Sequence, residues 1–196
     1  MRSHDFFVCE GLSGSGKTTL AEGLGEALDL TLVPVVTPEI AEAIAAVDHD
    51  PDAIEARHAL YGAAALLCGR HVRSLLDDGV GCVTDSWIYR TNLTHLVLGS
   101  SLKINEPPWF PQPRVTLWLD LPAGDRAQRI AARGRTSPYW KARLEEHSDE
   151  LTHLYADSVN SLELVDARGT PEEVLTRALE LIYEQPKETH VLVREA

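Results

Sequence analysis

The octapeptide Gly11-Leu12-Ser13-Gly14-Ser15-Gly16-Lys17-Thr18 fits G-x-x-x-x-G-K-[ST] without a mismatch, the Walker A or P-loop pattern. The chemistry needs those residue types at that spacing. Glycines let consecutive backbone N–H groups turn inward around an anion, and a helix that starts at the end of the loop adds unpaired N–H groups and the positive end of its dipole. Gly11, Ser13, Gly14, Ser15 and Gly16 would form the cradle, and Lys17 would bridge the terminal phosphates of a nucleotide. Thr18, followed by Thr19, supplies a neutral hydroxyl for Mg²⁺, an ion that keeps most of its waters and takes few protein ligands. The alternative is a glycine-rich turn with an exposed lysine. The flanks favour phosphate binding: residues 6–9 are an apolar run that reads as a buried strand, and "KTTLAEGLGEAL" reads as a helix with Leu20, Leu24 and Leu28 on one face.

Two carboxylates and a series of arginines are the other candidates. Glu39, in "VVTPEI", either accepts a proton from a hydroxyl attacking a γ-phosphate or sits in the first turn of a helix, where the dipole favours an acid. Asp85, in "GCVTDSWIYR", is either the ligand of a Mg²⁺-bound water, or the base, expected opposite a P-loop, or else the N-cap of the next helix. In "PAGDRAQRIAARGRTSPYW", Arg126, Arg129 and Arg133 recur at helical spacing and Arg135 follows at once, four arginines in ten residues of an acidic chain. Phosphoryl transfer calls for positive charge brought over the γ-phosphate when a lid closes. The segment around residues 126–142 is therefore expected to be a lid, the alternative being a solvated helix face.

The elements that must position these residues alternate along the chain. Apolar β-rich runs at 6–9, 32–36, 81–84, 115–119 and 162–165 are separated by stretches of helical period. The longest, over 51–76, opens at Pro51-Asp52, has Leu60, Ala64 and Leu67 on one face and stops at Gly79. The alternation predicts a doubly wound α/β domain: about five parallel strands joined by right-handed crossovers, with helices on both faces. Ligands in such sheets lie outside the carboxyl ends of the strands, which is where the P-loop, Glu39, Asp85 and the arginines fall.

Whole-chain properties narrow the function. At 196 residues with 44% hydrophobic residues the chain suits one core, read as a single domain over 1–196. A net charge of −12 excludes a protein that covers nucleic-acid phosphates. Cys9, Cys68 and Cys82 have no metal-ligand spacing and sit in apolar runs, as reduced core residues do. The start "MRSHD" has no secretory h-region and no apolar run is long enough to span a bilayer, so a cytoplasmic protein without membrane partners is expected. "NEPPWFPQP" reads as a surface loop, in which Trp109 and Phe110 either stack a flat ring or plug the space beneath the loop.

The chain resembles the thymidylate kinase and deoxynucleoside kinase group of P-loop kinases. "CEGLSGSGKTT" is similar to the group's E-G-x-x-G-x-G-K-T-T opening, "GRHVRSLLDDGVGCVTDSWI" to its helix and D-R-Y or E-R-S strand end, and "RIAARGR" to its R-x-x-x-R-x-R lid. "DARGTPEEVLTRAL" resembles the last strand and helix, so the likeness runs in order over roughly residues 5 to 183. It implies a transferase using ATP and Mg²⁺ on a small-molecule acceptor: Lys17, Arg129, Arg133 and Arg135 around the phosphates, Thr18 and Asp85 near the metal, and Glu39 or Asp85 near the acceptor. Arg57, Tyr61, Arg70, Trp87 and Arg90 are the expected acceptor-pocket residues, and a homodimer is left open. Some positions depart from the group. Asp85-Ser86-Trp87 stands where thymidylate kinases have D-R-Y, and a neutral Ser86 fits a neutral alcohol better than a phosphate. Thr136-Ser137-Pro138 replaces the acidic residues that follow R-G-R in deoxynucleoside kinases.

Overall fold

Residue alternation in the first strand decides the architecture. β1 (Phe6–Gly11) is buried along its whole length. Phe7 and Cys9 point into one apolar cluster, and Phe6 and Val8 into another on the opposite face. Such a strand must lie in the middle of a sheet covered on both sides. The computed structural model describes residues 5–132, 134 and 139–184. In it β1 pairs in parallel with β3 (Cys82–Thr84) on one side and β4 (Val115–Asp120) on the other, with Phe7 level with Val83 and Val115. β2 (Thr31–Leu32) and β5 (Leu162–Asp166) complete an all-parallel sheet of order β2-β3-β1-β4-β5. The expected doubly wound α/β fold is what forms.

On one face α1 (Lys17–Leu28) buries Leu20, Leu24 and Leu28, as its spacing predicts, beside Val174, Ala178 and Ile182 of α8 (Pro171–Glu184). On the other face lies α3 (Ile54–Asp77), with α2 (Pro38–Val47) beside it. The strand expected over 32–36 is only two residues long. Val33 N–H still reaches Val83 O at 2.9 Å, and the ladder ends there. The long helix opens at Ile54, three residues later than Pro51, and its buried stripe differs from the predicted one. Ala64, Ala65, Cys68 and Val72 face the sheet while Leu67 is 53% exposed. Gly79 does end the segment, at φ 79°.

The proline-rich loop splits the two readings of its aromatics. Phe110 is buried between Trp87, 4.7 Å centroid to centroid, and the α3 backbone at Gly69, while Trp109 is 40% exposed. Beyond β4 come α5 (Ala123–Ala132), α6 (Tyr139–Glu146) and α7 (Ser148–Ser158), with Leu144, Leu151 and Tyr155 in one apolar cluster with Trp118 of β4. The three cysteines are free and buried, and burial pushes the Cys68 and Cys82 thiols up to about 12. Among the described residues no helix is long and apolar enough to cross a membrane.

Gly69 is a test of the plug. A Cβ there would stand 2.1 Å from Phe110 Cε2. Alanine in a helix interior normally stabilises by ~1 kcal/mol over glycine. Gly69→Ala is nevertheless expected to lower the urea midpoint, by the equivalent of about 1–3 kcal/mol, because the ring must be displaced from a packed site. A midpoint that rises instead would show that Phe110 shifts freely.

Candidate active site

The turn from β1 to α1 takes three left-handed or extended glycine conformations in six residues: Gly11 at φ 141°, Gly14 at 85° and Gly16 at 106°. Two are also sterically closed. A Cβ on Gly11 would meet Leu119 O, and one on Gly14 would meet Arg126 O, each at 2.8 Å. The loop is thus wedged against β4 and α5, with Gly16 at the start of α1. Lys17 Nζ donates to Gly11 O at 3.0 Å and Leu12 O at 3.1 Å, which holds the ammonium over the loop. Thr18 Oγ1 donates to Asp85 Oδ2 at 2.6 Å. That bond joins the P-loop helix to the end of β3. Asp85 is not a helix cap: α4 (Ile88–Val97) begins after Trp87 with no side-chain cap. A hydroxyl and a carboxylate side by side are the hard oxygen donors that suit Mg²⁺.

A cavity lies on each side of the loop. One, of about 420 Å³, is lined by Gly16, Thr19, Arg129, Ala132, Gly169 and Pro171 among others. Arg129 is fixed there by bonds to Ser15 O (3.2 Å) and Ala167 O (3.1 Å). The other, of about 370 Å³, lies beyond the ends of β2 and β3 and is lined by Asp85, Ser86, Arg90, Tyr61, His95 and Trp140 among others. Arg90 Nη1 donates to Gly11 O and stands 4.0 Å from Glu10 Oε2, and Glu10 Oε1 accepts the Trp87 N–H at 2.8 Å.

The predicted residues divide accordingly. Gly11, Ser13, Gly14, Ser15, Gly16, Lys17, Thr18 and Thr19 form the loop and helix start, with Arg129 beside them, while Asp85, Tyr61 and Arg90 meet at the second cavity. Others do not come to it. Trp87 is fully buried, edge-on to Phe6 at 4.8 Å, so it belongs to the core and not to an acceptor pocket. Arg70 is exposed on α3, more than two turns beyond Tyr61, and does not line the cavity. Glu39 is exposed in the first turn of α2 and outside the cavity lining; bonds from the Thr37 hydroxyl and its own backbone N–H hold its carboxyl below the ordinary value. The geometry favours its helix-start reading. Arg126 is not a lid charge: it is buried, donates to Leu121 O and pairs with Glu145 of α6. Arg57 is buried behind the cavity, its guanidinium 5.1 Å over the Trp140 ring. Arg133 and Arg135, with Thr136-Ser137-Pro138, lie outside the described residues. Sequence reasoning missed Glu10, His95, Thr94 and Trp140. Of these only Glu10 had a local signal, an acid inside an apolar strand.

The family model described as an AAA domain matches residues 6–156. The chain belongs to that family. Two curated relatives are similar over most of its length. A probable thymidylate kinase of Pyrococcus abyssi is 29% identical, over 86% of this chain and 91% of that one. A probable thymidylate kinase of Pyrococcus horikoshii is 26% identical, over 90% and 95%. Among solved structures, thymidylate kinase from Candida albicans superposes with a TM-score of 0.73 at 20% identity, covering 93% of this chain and 92% of that one. A deoxyadenosine kinase from M. mycoides superposes at 0.70 with 12% identity, covering 91% and 99%. The likeness expected from the motifs is met, and these folds coincide over nearly the whole chain.

Glu10 is the electrostatic feature of this site. Burial pushes its carboxyl up to about 7, against the pull of Arg90, Lys17 and the Trp87 N–H. Burial prevails because Arg90, at 4.0 Å, is at the limit of an ion pair and is already bonded to Gly11 O. The native state therefore holds a proton that the unfolded chain, with its ordinary value of 4.5, releases. This contribution to stability is complete below 4.5 and is lost as pH rises to about 7. Glu10→Gln removes the titrating group. The stability of the variant relative to wild type is expected to rise through that window and level off above it, measured by urea unfolding at a series of pH values. A difference that does not change with pH would show that the carboxyl is not perturbed.

Proposed function

We propose that the protein is an ATP-dependent small-molecule kinase that transfers the γ-phosphoryl group to a hydroxyl of a nucleoside-like acceptor. The observation that carries the proposal is the Thr18–Asp85 hydrogen bond, which ties the P-loop helix, whose first residues border one cavity, to a carboxylate that lines the other. The Arg129–Gly169 side suits the nucleotide and the Asp85–Arg90 side the acceptor. The names of the curated relatives, probable thymidylate kinases, support the same reaction class.

The roles follow from position. Backbone N–H groups of residues 14–18 and the Lys17 ammonium hold the phosphates and take up negative charge as it develops. Thr18 and Asp85 would hold Mg²⁺, whose chemistry is to neutralise the phosphate oxygens. Asp85, which lines the acceptor cavity while Glu39 does not, accepts the proton of the attacking hydroxyl. The acceptor oxygen bonds to γ-phosphorus, the bond to the bridging oxygen breaks, and ADP leaves. Arg133 and Arg135, outside the described residues, would bring positive charge to the phosphates. Ser86 lines the acceptor cavity and Arg90 is already bonded to Gly11 O, so the preferred acceptor carries no phosphate. A monophosphate acceptor is the second reading, favoured by the presence of Arg90 in the same lining.

Three outcomes are expected. Lys17→Met lowers kcat/KM by about a hundredfold or more with an unchanged circular dichroism spectrum, since removing one preorganised charge from a transition state costs that much; full activity in the variant sinks the kinase reading. Neutralising Arg133 and Arg135 lowers kcat far more than it raises the KM for ATP. An effect on KM alone would mean ground-state binding. In paired assays with a nucleoside and its 5′-monophosphate, wild type favours the nucleoside and Ser86→Arg shifts the ratio toward the monophosphate. A roughly tenfold preference of wild type for the monophosphate, about 1.4 kcal/mol, makes the second reading the right one.

A further inference from the structure

Behind the wall of the second cavity sits a buried acid that the proposed reaction does not use. Glu10 is fully buried in β1, and its two carboxyl oxygens address two parts of that wall. Oε1 accepts the Trp87 N–H, on the peptide that follows Ser86, and Oε2 stands 4.0 Å from Arg90 Nη1. Ser86 and Arg90 line the cavity, and Glu10 does not. The carboxyl therefore acts on a bound molecule through the wall, by its charge.

A charge in that place is felt in the cavity. With an effective dielectric constant of about 20, two unit charges about 10 Å apart change an affinity by roughly tenfold. Neutral Glu10 leaves the guanidinium charge of Arg90 unopposed from the β1 side, whereas ionised Glu10 offsets it and repels an anion. Both forms are accessible near neutrality. Burial pushes the carboxyl up to about 7, against the pull of Arg90 on α4, Lys17 on α1, the Trp87 N–H and the Tyr155 hydroxyl on α7. Other titratable groups that Arg90 reaches keep a single form there: burial holds His95 down to about 3, pushes Tyr61 up to about 12 and raises Tyr155 well above its ordinary value. Cys9, on the same strand as Glu10, is raised by burial as well, and Asp85 is a further charge in the cavity lining.

We propose that Glu10 is a specificity-determining residue acting through Arg90: neutral, it lets the cavity accept an anionic group on the acceptor, and ionised, it favours an acceptor without charge. The inference rests on the reading of the second cavity as the acceptor site.

The experiment is titration calorimetry on the full-length protein with its phosphate loop filled by MgADP, at about pH 6 and about pH 8.5. The ligands are the four deoxynucleosides, each as the nucleoside and as its 5′-O-sulfate, an anion that keeps one charge over this range where a phosphate monoester does not. The Kd of the sulfate esters is expected to rise roughly fivefold or more from the lower pH to the higher, with that of the nucleosides unchanged. Near pH 7, in buffers of different ionisation enthalpy, sulfate-ester binding should take up a fraction of a proton and nucleoside binding none. Glu10→Gln keeps a carbonyl for the Trp87 N–H; it should hold the sulfate-ester Kd at the low-pH wild-type value throughout and abolish the proton uptake. Equal pH dependence for nucleoside and ester in wild type, no linked proton, or binding of neither ligand overturns the proposal whether or not the variant folds, and so does a pH dependence that survives in Glu10→Gln. Turnover of a nucleoside with ATP alongside any of those results leaves the kinase reading standing. A linked proton without turnover of any nucleoside or monophosphate upholds the role of Glu10 and removes the kinase reading.

Discussion

The close approach of the β1–α1 turn to the backbone of β4 and α5 is the constraint on which the rest of this structure depends. Gly11 and Gly14 place their α-carbons where any side chain would collide with Leu119 O or Arg126 O. The phosphate loop is therefore as well placed as the sheet itself. Because β1 is the central strand, with β3 on one side and β4 on the other, the loop stands where the chain order reverses, and a crevice opens at the strand ends on each side. Both cavities follow from that single placement.

The same geometry explains why charge is concentrated at one point of an acidic protein. Lys17, Arg90 and Glu10 all converge on the residues at the end of β1. Glu10 comes from the strand and reaches the backbone of Trp87, so it sets the position of the segment that carries Asp85 and Ser86 relative to the loop. Charges that would be unremarkable on the surface interact strongly there because water is excluded.

The arginines of α5 show how two residues of one repeat can take different work. Arg126 and Arg129 are three apart on the same helix. Arg126 is turned to Leu121 O and Glu145, which ties α5 to α6, while Arg129 reaches Ser15 O and Ala167 O at the first cavity. Spacing places both on one face, and only the neighbours packed against that face separate a structural ion pair from a charge held beside the P-loop.

Much was legible in the sequence because it was local. The glycine spacing of residues 11–18 is a backbone requirement of the turn, the apolar runs mark the strands, and the period of Leu20, Leu24 and Leu28 marks the buried side of α1, so the fold class and the phosphate loop needed no tertiary information. The acceptor side was not local. Tyr61 and Arg90 line the second cavity while Trp87 and Arg70 do not, since one of two neighbouring side chains at a strand end turns into the core and α3 presents a stripe of small residues, not leucines, to the sheet. Glu39 and Asp85 look alike in sequence, each a carboxylate just past a strand. Which one faces the loop was decided by where β3 lies beside β1, a pairing of residues more than seventy positions apart. Glu10 acquires its role only when the segment after β3 and α4 pack beside β1 and bring the Trp87 N–H and Arg90 to it, because which partner a buried group meets is a property of the assembled interior and not of the chain that enters it.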